Sequence, residues 1–197
     1  MSGVTHEYME EYLRNLIPDK KGTLKKLEDF AKENSVPIIQ KEAGKFLEFM
    51  INMKKPKRVL ELGTAIGYSS ILMAESVDYK LPIVTIERDD NMVTLAKSNI
   101  KLYGYDDRID IIQGDCLEVL EKLDDKFDVI FMDPPYYKDM FQDALERIDK
   151  SNILKEDGII VVEHDTKQEF PENVGNLVKN RNKKYGNTTL TFYSMED

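Results

Sequence analysis

Cysteine is nearly absent. Cys116 is alone in 197 residues, so no internal disulfide can form. Histidine is almost as scarce, with two in the chain, which argues against a zinc site built from Cys and His. No apolar run approaches the roughly 20 residues that cross a bilayer, and no membrane partner is expected. The opening Met1-Ser2-Gly3-Val4-Thr5-His6-Glu7 has no basic stretch followed by an apolar core, so it does not read as a secretory signal. These absences together point to a cytoplasmic chain. Net positive charge is missing too: 28 basic residues stand against 37 acidic ones, a formal charge of −9. An acidic chain does not grip nucleic acid over a broad surface, because phosphate neutralisation supplies most of such affinity. Local basic clusters remain, at Lys54-Lys55-Pro56-Lys57-Arg58 and Lys179-Asn180-Arg181-Asn182-Lys183-Lys184. On charge patterning alone, each reads first as a solvated loop or edge strand.

What is present is an ordinary globular balance, in a length that one domain accounts for most economically. Residues 1–55 read as helices. Tyr8, Tyr12 and Leu16 share a face, and Pro18-Asp19 ends that segment and supplies a cap for the next. Leu24, Leu27 and Ala31, then Ala43, Phe46, Leu47 and Met50, recur at helical spacing. Beyond the link at 54–57, strand and helix patterns alternate. Val59 to Leu62, Ile83 to Glu87, Ile109 to Ile112, Phe127 to Met132 and Gly158 to Glu163 are five strands. Helices fall around Ile71 to Ala74, from Asp89 or Asp90 up to Gly104, over Leu117 to Leu123, and from about Lys138 to Asp149. Pro171 to Leu177 reads as a helical turn, and 178–193 as a closing hairpin that turns at Gly186-Asn187. Alternation of this kind implies an α/β fold, an open and mostly parallel sheet with helices on both faces.

Open sheets of this type bind ligands beyond the carboxyl ends of their strands. Four such ends converge here: Glu61 to Gly67, Glu87, Asp115 and Asp133. In Glu61-Leu62-Gly63-Thr64-Ala65-Ile66-Gly67-Tyr68-Ser69 a strand passes through two glycines into a helix. That geometry turns backbone N–H groups and the positive end of the helix dipole towards the crevice. A dinucleotide site wants glycines spaced G-x-G-x-x-G. Counted from Gly63 the chain has Gly63, Ala65 and Tyr68, and the dinucleotide reading fails. Glu61 points elsewhere: a carboxylate would repel a pyrophosphate, whereas the sulfonium and amino group of S-adenosylmethionine can use one. Glu87 is suited to accept hydrogen bonds from both ribose hydroxyls. Asp115 is suited to accept one from an adenine amine, with Ile86 and Cys116 as apolar walls. Taken singly, Glu87 and Asp115 read equally well as helix caps.

Glu61 to Gly67, Glu87 and Gly114-Asp115 together resemble the cofactor motifs of class I S-adenosylmethionine-dependent methyltransferases, from about Lys57 to the end of the chain. The resemblance implies a Rossmann-like, mostly parallel seven-stranded sheet with an antiparallel final strand. Residues 1–55 would then be a helical extension and 56–197 the methyltransferase domain. It also implies S-adenosylmethionine as cofactor, held by Glu61, Gly63, Thr64, Gly67, Tyr68, Ser69, Glu87, Asp115, Cys116 and Asp133. Methyl transfer in this class is an in-line displacement at the sulfonium that depends largely on positioning the acceptor.

Within the class the chain resembles two groups. Residues 8–132 are similar to bacterial relatives of catechol O-methyltransferase, including those that methylate a hydroxyuridine in tRNA, at Leu16-Ile17-Pro18, Val36-Pro37-Ile38 and the Glu61 motif. That group carries Asp-Ala followed two residues on by Lys after the fourth strand, and Asp-Asn after the fifth, and holds magnesium there. This chain keeps Asp133 but has Tyr136 in place of the Lys and Glu163-His164 in place of Asp-Asn. Asp133, Glu163 and His164 are the set that would hold Mg²⁺. Carboxylate pairs bind that ion weakly, and the broken pattern argues against it. Residues 133–193 instead resemble bacterial methyltransferases of an exocyclic guanine amine in small-subunit rRNA, at Asp133-Pro134-Pro135-Tyr136, Val162-Glu163-His164 and Lys184 to Tyr193. The expected catalytic set is Asp133, Pro134, Pro135 and Tyr136. The Asp133 carboxylate and Pro134 carbonyl would accept from an NH₂ group and aim its lone pair, while Tyr136 offers a face for stacking a base. The basic N-terminal segment of that group is absent here, and an acidic helical preface stands in its place. The expectation is N-methylation of an exocyclic base amine in RNA. One alternative is metal-dependent O-methylation of tRNA hydroxyuridine or of a small phenol or catechol; another is a cofactor-binding shell without turnover. A homodimer is compatible with such a chain.

Overall fold

The computed structural model describes residue 12 and residues 15–76, 81–133 and 138–196, without the side chains of 138 and 139. The five apolar runs form parallel strands β1 (Val59–Leu62), β2 (Ile83–Glu87), β3 (Ile109–Gln113), β4 (Phe127–Met132) and β5 (Leu154–Asp165). A two-residue β6 (Asn173–Val174) pairs with the start of β7 (Leu177–Tyr185), which forms a hairpin with β8 (Thr188–Met195). The sheet order is β3-β2-β1-β4-β5-β8-β7-β6, with β8 antiparallel to β5. Six helices with both ends among the described residues accompany these strands: α1 (Gly22–Glu33), α2 (Lys41–Lys54), α3 (Tyr68–Ser76), α4 (Asp90–Leu102), α5 (Cys116–Leu120) and α6 (Lys138–Ser151).

Successive strand residues point to opposite faces, and this divides the core in two. Val59, Ile83, Val129, Phe131 and Val161 face α1 to α4, packing with Leu27, Leu47, Ile71 and Ile100. Leu60, Leu62, Ile130, Met132, Ile160 and Val162 face α5 and α6, packing with Leu120, Phe141, Leu145 and Ile148. The two-residue period also puts Glu61, Thr85, Glu87, Asp133 and Glu163 on the α1–α4 side. Leu24, Leu27, Leu47 and Ile51 of α1 and α2 are fully buried in that layer. At about 1.5–3 kcal/mol each, they fasten the helical preface over the crevice end of the sheet.

Several expectations change. Tyr8 lies outside the described residues, while Tyr12 and Leu16 are exposed. Asp19 does not cap α1: the cap position is Lys21, whose side chain makes no capping bond, and Asp19 pairs with Lys41 at 2.8 Å. The helical turn expected over 171–177 is instead β6 and a tight turn. Gly175 there has φ +60°, which favours glycine, and Asp149 of α6 accepts from the Asn176 backbone N–H at 3.0 Å. The sheet therefore has eight strands where seven were expected. β5 begins at Leu154 and bulges, since Phe127 pairs with Leu154 but Val129 with Ile159. A Cβ at Gly158 would lie 2.8 Å from the Lys155 backbone carbonyl oxygen, so the bulge requires glycine. α5 ends at Leu120, leaving Leu123 to pack from the loop beyond it. Among the described residues, no helix is long and apolar enough to cross a membrane.

Candidate active site

The turn after β1 is built by left-handed residues. Gly63 has φ +100°, Ala65 +45° and Gly67 +83°. The Gly63 N–H donates to the Ile86 carbonyl at 3.0 Å and that of Gly67 to Thr64 at 2.8 Å, which delivers the chain directly into α3. Space is not what demands Gly67, because an added Cβ would make ordinary contact with Ile100 at 3.5 Å; its backbone conformation is.

Glu61 lies beneath this turn. It is fully buried, and one carboxylate oxygen accepts from the hydroxyls of Ser70 and Thr85. Since the Thr85 proton is spent on Glu61, the Thr64 hydroxyl is the donor in the 2.7 Å contact between the two threonines. Burial pushes the Glu61 carboxyl up, against the pull of the surrounding hydroxyls. Its other oxygen is buried and has no hydrogen-bond partner among the described residues. Glu61 thus buttresses the glycine turn and is not on the cavity wall.

Glu87 does line the cavity. One of its oxygens accepts from the Ala65 N–H at 3.0 Å and the other from the Arg88 and Asp89 N–H groups at 2.9 Å. Three backbone donors fix the carboxylate and leave acceptor capacity free. Asp115 and Cys116 stand apart from the wall. Asp115 caps α5 by accepting from the Leu117 N–H at 2.9 Å, and burial pushes the half-buried Cys116 thiol up to about 12.

The cavity has a volume of about 690 Å³, within the range of small-molecule sites. Its wall is assembled from distant parts of the chain: Gly63 to Ile66 with Tyr68 and Ser69 but not Gly67, Glu87 to Asp89 with Met92, the strand ends Asp133, Glu163 and Thr188, and residues 34–40. Segment 34–40 joins α1 to α2, and its place on the wall was not visible in the sequence beyond the Val36-Pro37-Ile38 similarity. Tyr68 ties this cover down by donating to Glu28 of α1 at 2.7 Å. Volume, glycine turn, ordered Glu87 and the apolar Ile66 and Met92 together fit S-adenosylmethionine.

Asp133 and Glu163 share the wall across β4 and β5. Burial pushes the Asp133 carboxyl well above the usual range, and Glu163 and Glu61 add repulsion. Burial raises Glu163 to about 7, and one of its oxygens has no partner among the described residues. His164 points the other way. Its Nε2 meets Thr191 Oγ1 at 2.7 Å, Nδ1 meets the Asp165 carbonyl at 2.8 Å, and its ring packs on Phe170 at 4.3 Å. The set Asp133, Glu163 and His164 therefore cannot hold one Mg²⁺, because neighbours in a strand face opposite sides. No three Asp, Glu, His or Cys among the described residues converge as metal ligands. Pro134, Pro135 and Tyr136 lie outside the described residues.

Residues 64–194 match the family described as Conserved hypothetical protein 95. The chain belongs to that family. YlbH of Bacillus subtilis, a candidate rRNA methyltransferase, is 35% identical over 113 residues, covering 56% of this chain and 61% of the relative. The chain thus spans about three fifths of that protein's length. A catechol O-methyltransferase of Niastella koreensis is 29% identical over 168 residues, covering 81% and 76%. The methyltransferase PaMTH1 of Podospora anserina, solved with S-adenosylhomocysteine, superposes over all of this chain and 97% of its own, with TM-score 0.83 and 20% identity. Its fold is that of the class I S-adenosylmethionine-dependent methyltransferases.

Proposed function

We propose that the protein methylates an exocyclic amine of a base in RNA. The observation that carries this reading is the Asp133–Glu163 wall, two acidic acceptors at adjacent strand ends with His164 turned away. Such a wall suits an NH₂ group, which offers donors, better than a hydroxylate held on a metal. When bound, the cofactor supplies an electrophilic methyl group on sulfur. Glu87 would take the ribose hydroxyls with its spare acceptor capacity, and residues 34–40 would exclude water from above. Asp133 would accept an N–H of the amine and orient its lone pair. Nitrogen–carbon bond formation and carbon–sulfur cleavage then leave one amine proton to be shed. Glu163 offers an unpartnered buried oxygen and an affinity poised near neutral pH to receive it.

The similarity to an rRNA methyltransferase candidate supports an RNA acceptor. The catechol O-methyltransferase relative supports the second reading, O-methylation of hydroxyuridine in tRNA or of a small phenol. Incubation with methyl-labelled cofactor and RNA, with and without EDTA, followed by digestion to nucleosides, separates the two. Label on a base nitrogen, unaffected by chelator, is the expected result. Chelator-sensitive label on oxygen would overturn it.

A further inference from the structure

We propose that the exposed length of β7 and the adjoining face of α2 form a docking track for a single-stranded stretch of the RNA, leading to the cavity mouth. This inference rests on the RNA reading above and adds where the strand lies.

The track begins with an open edge. β6 covers only Leu177 and Val178, so among the described residues β7 from Asn180 onward is the outer strand of the sheet. Arg181, Lys183 and Lys184 are exposed there and make no ion pair among the described residues. Residues 177–187 carry four basic side chains and no acidic one, in a chain of net charge −9. Edge lysines also hinder pairing with another chain.

Register gives the charge its direction. Arg181 pairs with Phe192 and Lys183 with Leu190, so both side chains lie on the face of Phe192, the one turned to α2. Leu190 pairs in turn with Glu163. Lys183 and Glu163 thus occupy one cross-strand row, two strands or about 10 Å apart. β7 then ends at Tyr185, beside Thr188 on the cavity wall. A strand that presents one base to Glu163 has its neighbouring phosphates within reach of this row.

The flank supplies rings for stacking. Phe46 of α2 meets Tyr185 at 6.1 Å and Phe192 at 5.9 Å, and Phe49 lies 6.3 Å from Phe46. Phe49 is 58% exposed and Met53 71% exposed. Phosphate-binding cations beside exposed aromatic faces are how proteins hold single strands without reading sequence.

The test is titration of a labelled single-stranded RNA of mixed sequence, over a range of salt, into the full chain and into the double variant Arg181→Gln, Lys183→Gln. The track predicts an affinity loss of about fivefold or more and a fall of about 1.4 in the slope of log K against log salt, two phosphate contacts at roughly 0.7 each. Cofactor binding and melting temperature should not move, since both side chains are exposed and unpaired. The charge-conserving variant Arg181→Lys, Lys183→Arg should keep the wild-type slope. Unchanged affinity and slope, alongside RNA methylation by the wild type, would refute the track and leave the proposed function standing. A wild type that neither binds nor methylates RNA would remove both. Equal losses on phosphatidylserine vesicles would show general anion attraction and overturn the docking claim.

Discussion

Each residue of the site is constrained by something different. Gly63 is constrained by its backbone, at φ +100°, where a β-branched side chain is strained. Gly63→Val should therefore lower cofactor affinity by about a hundredfold or more, on the order of the 1–3 kcal/mol or greater that such strain costs, as read by calorimetry. Asp133 is constrained by its neighbours. Its own N–H bonds the Leu62 carbonyl at 3.0 Å, so removing the carboxylate leaves that backbone link intact. Asp133→Ala should keep cofactor affinity within a few-fold and reduce single-turnover methyl transfer by about 10² or more. Undiminished turnover would refute its role. Glu61 is constrained by burial, and the hydroxyls of Thr85 and Ser70 make it part of the turn's foundation.

At the level of elements, the cavity depends on α1 and α2 as much as on the sheet. Segment 34–40 closes the crevice because both helices are anchored by buried leucines on the same face as Glu87 and Glu163. The Tyr68 hydroxyl to Glu28 is the direct polar tie between the glycine turn and α1. Tyr68→Phe should cost about 1 kcal/mol of stability in denaturant unfolding. It should also raise the cofactor dissociation rate several-fold, because the cover then opens more readily; an unchanged rate would mean that 34–40 does not gate the cavity. Much of this was readable beforehand. Asp89 caps α4 by accepting from Asn91 and Met92, as its place before an apolar-periodic run predicts. The parallel strands β1 to β4 fall where the apolar runs predict. β6 was not legible, because two residues of strand have no period of their own and exist only through pairing with β7 and the hold of Asp149 on Asn176.

For the whole molecule, the acidic wall makes stability depend on pH. Glu163 has a folded value near 7 against an ordinary 4.5, so between these values the native state holds a proton that the unfolded chain has released. Its contribution is therefore present below about 4.5 and lost as pH rises through about 7, and Asp133 shifts in the same direction. Asp128 acts oppositely. Burial would raise it, but Lys155 and the Arg58 and Lys57 N–H groups outweigh that and hold it low, so its contribution disappears in acid. Thermal melts should show the cofactor-free protein losing up to about 3 kcal/mol between pH 5 and pH 8. Glu163→Gln should flatten that slope and melt higher than wild type at pH 8. A Glu163→Gln profile as steep as the wild type's would contradict the burial of Glu163.

What the sequence determined alone is what short-range rules govern. Strand parity already separates Glu163 from its neighbour His164, against their assignment to one metal ion. The spacing from Glu61 to Gly67 excludes a dinucleotide. Tertiary structure decided the rest, because it depends on which distant segments pack together. Packing sinks Glu61 beneath the turn, makes Asp115 a cap off the cavity wall, brings 34–40 over the crevice and sets Lys183 in the same row as Glu163. Two-residue and helical periods are local properties of a chain. The closure of a cavity is a property of its contacts.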